Sequence, residues 1–202
     1  FGFKSEYIFY IIYLTISSLI ILLWIIFPNT VLLIFLIVAC YHFGKEDTVF
    51  FVNKEILFKE ILYFFKGSSV IIAPLLFHRE ETIEIFRALN FNIFENSLFS
   101  DTFLLIFLFL GLISSFFLSH KKDINFKILL MTDFLSILII NFFLSPILAF
   151  TIYFCFLHSI RHSITLIFEL DKSFKNGFRK FIKKAIPLTL ITSFAFIVAI
   201  YL

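Results

Sequence analysis

Apolar residues in this chain come in runs long enough to cross a bilayer, separated by short polar breaks. Seven runs stand out: Tyr7–Phe27, Thr30–Val52, Ile61–Phe77, Thr102–Ser119, Ile128–Asn141, Ile147–Phe168 and Ile186–Leu202. A helix of about 20 residues spans a hydrocarbon core of about 30 Å, and most of the runs reach that length. Ile128–Asn141 is short and is expected to extend into its flanks. No ten-residue alternation of apolar and polar positions occurs, so helices are predicted rather than a barrel. The second run is unusual: it is interrupted by HFGKED (His42–Asp47) and resumes as TVFFV. The pattern predicts an all-α integral membrane protein, a bundle of about seven transmembrane helices, forming a single transmembrane domain over residues 1–202.

Two connecting stretches carry a pattern of their own. FKNGFRKFIKKAI places Phe174, Phe178, Phe181, Ile182 and Ala185 at helical spacing, with six basic residues between Lys172 and Lys184. It reads either as an interfacial helix on anionic lipid, with Gly177 as a break, or as a solvated basic loop. REETIEIFRALNFNIFEN (Arg79–Asn96) is the longest loop on the opposite side and is partly amphipathic, suited to capping the bundle or lying on the leaflet.

Composition narrows the class. Hydrophobic residues make up 61% of the 202 positions and charged residues 15%, with 34 Phe. An ordinary soluble domain is about 45–50% apolar and about 25% charged, so this chain lacks the polar surface to cover a water-soluble core. A net charge of +3 leaves no nucleic-acid footprint. Cys40 and Cys155 lie in separate apolar runs and form no disulfide framework. Phe1–Phe27 has neither a basic n-region nor a small-residue cleavage site, so no cleavable signal peptide is expected. The first residue is Phe1, and an additional N-terminal helix is expected upstream of it.

Seven alternating spans sort the cations. Lys4, Lys45, Lys54, Lys59, Lys121, Lys122, Lys127, Lys172, Lys175, Arg179, Lys180, Lys183 and Lys184 fall on one side. Only Arg79 and Arg87 fall on the other, and Lys66 and Arg161 lie within spans. By the positive-inside rule the Lys/Arg-rich loops are cytoplasmic, as in a multi-pass protein of a bacterial inner (cell) membrane.

Ionisable groups at membrane depth are costly and are functional candidates by default. Here they are His42, Asp133, His158, Arg161 and His162. His158 and His162 are four apart and share one helix face, the spacing by which a helix offers two imidazoles to one metal. At about 1.5 Å per residue, His42 lies about 18 Å into its span, His158 about 16 Å and His162 about 22 Å, all counted from the same side. A shared metal site is the reading this depth supports; histidines hydrogen-bonded to neighbouring helices are the plainer alternative. Two roles are open to Asp133: holding the N–H of a metal-bound imidazole, or pairing with Arg161. Glu46, four beyond His42, and Asp47 either orient His42 or mark the cytoplasmic boundary. Cys155, three before His158 and expected on its face, is a thiolate ligand or a small hydrophobe. His78 follows Pro74 at the far end of the third span and suits a helix end or a substrate tunnel. His120, in SHKKD, reads as solvated surface. There is no P-loop, dinucleotide fingerprint, nucleophile elbow or CxxC pair. Histidines in a dry pocket suit iron and dioxygen chemistry on an apolar substrate.

YHFGKED (Tyr41–Asp47), APLLFH (Ala73–His78) and SPILAFTIYFCFLHSIRH (Ser145–His162) resemble the Brp/Blh family, membrane β-carotene 15,15′-dioxygenases that accompany microbial rhodopsins. The third stretch is the most specific. The resemblance runs through nearly the whole chain in motif order. It implies an all-helical membrane fold with an Fe(II) site built from histidines. It implies cleavage of the central double bond of β-carotene by O₂ into two all-trans retinal, passed to a rhodopsin. By position, His42, His158 and His162 match the family's iron ligands, and His78 matches a recurrent histidine without a ligand role. The family also carries a histidine in a PHGALDH-like helix just upstream of the position of Phe1; either such a helix supplies a fourth ligand or this member's site has three histidines. Two other readings stay in view. A desaturase- or hydroxylase-like metalloenzyme usually spreads over several cytoplasmic boxes more histidines than the five present. A non-enzymatic carotenoid- or retinal-binding or transport protein would use Asp133 and Arg161 as an internal ion pair.

Overall fold

The structure is a computed structural model that describes residues 6–48, 56–95, 99–119 and 124–201. Its helices are α1 (Glu6–Ile26), α2 (Pro28–Glu46), α3 (Lys59–Phe77), α4 (Arg79–Ala88), α5 (Asp101–Leu118), α6 (Ile124–Phe143), α7 (Pro146–Ile152), α8 (Ser159–Leu170) and α9 (Phe174–Tyr201). A 3₁₀ turn at Ile93–Glu95 follows α4, and a π-helical turn, Tyr153–His158, joins α7 to α8. No strand occurs among the described residues. Among the described residues, six helices are long and apolar enough to cross a membrane, α7 to α8 counting as one, and Ile11–Ile26 of α1 is a shorter apolar helix. This is a multi-pass helical membrane protein. Rows of large apolar side chains face outward, among them Ile21, Ile25, Phe109, Phe156 and Phe194. Only lipid makes that outward greasiness favourable.

The predicted spans appear with adjusted ends. The short fifth run lengthens to α6, Ile124–Phe143, as its flanks allowed. That sets Asp133 near the middle of its helix. HFGKED does not interrupt the second helix, which runs on to Glu46. Thr48 then turns its hydroxyl back onto the Gly44 carbonyl at 2.5 Å. Residues 49–52 of that predicted run lie outside the described residues, as do Lys4, Lys54, His120, Lys121 and Lys122.

Contacts divide the chain into two compact units, Phe1–Thr151 and Ile152–Leu202. In the first, α3 is the central helix, packed against α2, α5 and α6. In lipid no hydrophobic force draws helices together, so small residues that let backbones approach do much of that work. Gly44 and Gly67 meet across the α2–α3 seam: a Cβ on Gly67 would collide with the Cys40 carbonyl oxygen and lie 2.5 Å from the Gly44 nitrogen. A second small-residue seam joins α3 and α5 through Ser68, Ser69, Gly111, Ser114 and Ser115. Ser68, Ser69 and Ser115 satisfy their hydroxyls inside their own helices, as in Ser69 to the Lys66 carbonyl at 2.6 Å and Ser115 to the Gly111 carbonyl at 3.0 Å.

Phenylalanine fills the rest. Rings of Phe86, Phe94, Phe99, Phe103, Phe107 and Phe65 follow one another at 4.6–5.6 Å between centroids, from α4 down α5 to α3. The stretch read as the longest loop, after α3, is instead a helix over Arg79–Ala88. Arg79 ties it to the start of α5, donating to Asp101 at 2.9 Å and to the Phe99 carbonyl at 2.6 Å.

In the second unit α8 packs on α9. The basic stretch is helical, but Gly177 does not break it: α9 runs unbroken from Phe174 to Tyr201. Gly177 is buried against the Ile167 backbone, where a Cβ would lie 3.0 Å from the carbonyl carbon and 3.1 Å from Cγ2. Its missing side chain serves close helix packing.

Candidate metal centre

Pro146 starts α7 at a first-turn position, where its missing N–H costs nothing. The helical path then runs to Leu170 through the π turn at Tyr153–His158. A single π turn inside an α-helix inserts an extra residue and re-aims the side chains beyond it, and such turns recur at functional sites. Here its last residue is His158, 5% exposed.

The His158 ring lies beside three others. His162 is parallel to it, at 1° and 6.3 Å between centroids. Phe154 stacks at 5.6 Å and 27°, and Tyr153, itself 2% exposed, lies at 6.1 Å and 31°. The four-residue spacing therefore does put the two imidazoles on one face. His162 and Arg161 are half-buried, and Thr165 donates its hydroxyl to the Arg161 carbonyl at 3.1 Å. Cys155, three before His158, is exposed while His158 is buried.

The remaining candidates belong to the first unit. His42 is exposed near the end of α2, its ring 6.0 Å from Phe43, which packs edge-on against Phe150 at 6.3 Å. Glu46 is half-buried, Asp47 is 4% exposed and Asp133 is 8% exposed on α6. His78 sits between α3 and α4, with Nδ1 3.9 Å from Glu81 and Nε2 buried without a hydrogen-bond partner among the described residues. It is at a helix end, as its place after Pro74 predicts.

Two features were not weighed from sequence. Lys66 is a buried cation within α3, 2% exposed, and its position inside a span was the signal. Tyr41 of YHFGKED clamps α2 to α3. Its hydroxyl donates to Glu60 at 2.5 Å, its ring meets Tyr63 at 6.4 Å, and the Lys45 ammonium lies over it at 5.4 Å.

Among the described residues no group of three or more His, Cys, Asp or Glu side chains stands together as a metal site. The His158–His162 pair nevertheless suits one in donor type, shared face and dry surroundings. To share one ion at about 2 Å each, the two rings would tilt from parallel toward one another.

These features define a helical membrane protein with a parallel imidazole pair, His158 buried and His162 half-buried, beside a π turn. The chain belongs to the beta-carotene 15,15′-dioxygenase family, whose model matches residues 1–202. Carotenoid cleavage by a dioxygenase in a membrane is thus its activity class. No curated protein and no solved structure matched the chain.

Proposed function

We propose that this protein cleaves the central double bond of β-carotene with O₂, giving two all-trans retinal for a microbial rhodopsin. Family membership supports the substrate class. The observation that carries the site is the parallel His158–His162 pair, with His158 buried and His162 half-buried. In this reading both imidazoles would hold an Fe(II) ion, with His42 as third ligand by the motif resemblance. Iron supplies the one-electron chemistry that lets O₂ react with an alkene. Tyr153 and Phe154 keep the His158 ring oriented and water away from it. The lipid-facing helices give an apolar carotenoid a route from the bilayer, and the Lys/Arg-rich loops face the cytoplasm of a bacterial cell.

The test is co-expression of the full-length protein in cells that make β-carotene. Loss of colour with appearance of retinal is expected, and persistent colour with no retinal sinks the proposal. His158→Ala and His162→Ala should each abolish bleaching and lower bound iron, while His120→Ala leaves both intact. Wild-type bleaching in all three variants would remove the pair from the site.

A further inference from the structure

The cytoplasmic-end third of α9 carries a built pattern that carotenoid cleavage does not use. The helix has 28 residues, about 42 Å at 1.5 Å each, against a hydrocarbon core of about 30 Å. Its basic first turns therefore extend into the headgroup layer. There the faces are sorted. Gly177 marks the side covered by Ile167 of α8. At about 100° per residue, Lys175 and Arg179 lie on the far side of the helix, and Lys183 continues that stripe one turn on. Phe174, Phe178 and Ile182 form the neighbouring stripe, with the first two rings stacked at 5.9 Å and 11°. Between the stripes lies an open groove of about 710 Å³ lined by these six residues.

The other cations on this segment are placed differently. Lys180 is committed, at 2.7 Å, to Asp171 and reaches the Leu170 carbonyl at 3.4 Å. Lys184 lies toward the α8 side and Lys172 precedes the helix. Among the described residues, Lys175, Arg179 and Lys183 take part in no ion pair. Three uncommitted cations along one edge and three apolar side chains along the other match an amphiphile with an anionic head. We propose that this groove binds an anionic phospholipid, its phosphate against Lys175, Arg179 and Lys183 and its acyl chain along Phe174, Phe178 and Ile182. Such a lipid anchors α9 at the membrane surface.

The experiment compares two double variants of the full-length protein with equal loss of charge, Lys175→Gln/Arg179→Gln and Lys172→Gln/Lys184→Gln. Each is reconstituted in nanodiscs of phosphatidylcholine with a minor share of phosphatidylglycerol, and lipid retained after extraction is counted by native mass spectrometry. The groove pair should lose retained phosphatidylglycerol by about thirtyfold, from about 1 kcal/mol for each of the two cations, while the other pair keeps it. Millimolar inorganic phosphate should not displace the lipid, because phosphate lacks the acyl chain that fills the apolar stripe. Equal loss in both variants, retention in both, or displacement by phosphate overturns the proposal. Arg179→Lys keeps the charge and should retain the lipid, which separates loss of binding from loss of fold.

Discussion

Gly44→Ala tests whether the α2–α3 seam is closed to its limit. The new Cβ would run into the Tyr63 carbonyl oxygen, 2.7 Å from the Tyr63 carbonyl carbon and 2.9 Å from the Gly67 nitrogen. Ordinary carbon contacts lie at about 3.5–4.0 Å, so the shortfall is about 1 Å, and every colliding atom is backbone. No rotamer relieves it, and the helices must part. A gap of about 1 Å forfeits a quarter to a half of each contact across the seam, and overpacking of this kind costs about 1–3 kcal/mol. Replacing a helix-interior glycine returns about 1 kcal/mol of propensity. Because both helices are rigid at the collision, the cost belongs at the upper end, leaving a net loss of about 2 kcal/mol. That corresponds to a midpoint lower by about 4–8 °C for a chain of this size. The assay is thermal unfolding of purified protein in one detergent, followed by intrinsic fluorescence. Gly67→Ala should match it, since its Cβ meets Cys40 backbone and the Gly44 nitrogen at 2.5 Å. Gly111→Ala should cost less, because its nearest neighbours are the Phe65 oxygen at 3.0 Å and the movable Phe134 ring at 3.1 Å. An unchanged or raised midpoint in Gly44→Ala, as propensity alone predicts, would refute the close-packed seam.

Tyr41→Phe removes the hydroxyl that bonds Glu60 at 2.5 Å and should lower stability by about 1 kcal/mol. Glu60→Gln in that background should add little, and additive losses in the double variant would show that the bond contributes nothing. Asp171 gives a pH dependence of known sign. Its hydrogen bond from Lys180, with that from the Ser173 N–H, holds its pKa below the usual 3.8. The folded pKa lies below the unfolded one, so this stabilisation is complete above the unfolded value and fades as pH falls through the folded one. The midpoint difference between wild type and Asp171→Asn should be constant near neutrality and shrink only in acid below that range. A difference that already fades between pH 7 and pH 5 would contradict the assignment.

How much of this was legible in advance depends on the scale of the signal. Helix number and membrane setting come from apolar runs, because lipid forces every backbone group to be satisfied within its own segment. The His158–His162 face came from spacing, and the parallel rings bear it out. What the pattern did not carry was local phase: a π turn leaves no mark in a run such as YFCFLH, whose residues are nearly all apolar. Gly177 shows a second limit: a glycine in a basic stretch reads as a helix break, but burial against Ile167 makes it a contact point. Gly44 in YHFG gains its meaning in the same way, since only the fold brings Tyr63 and Gly67 against it. The two glycines and the π turn share a cause. Each is decided by what another backbone or another turn does at that point, and hydrophobic periodicity carries no information about either. The π turn matters most for the proposed site, because a helix that is to offer two imidazoles to one ion must fix the direction of the first before the second. One extra residue in the turn ending at His158 sets that direction, and Tyr153 and Phe154, both within the turn, supply the rings that flank it.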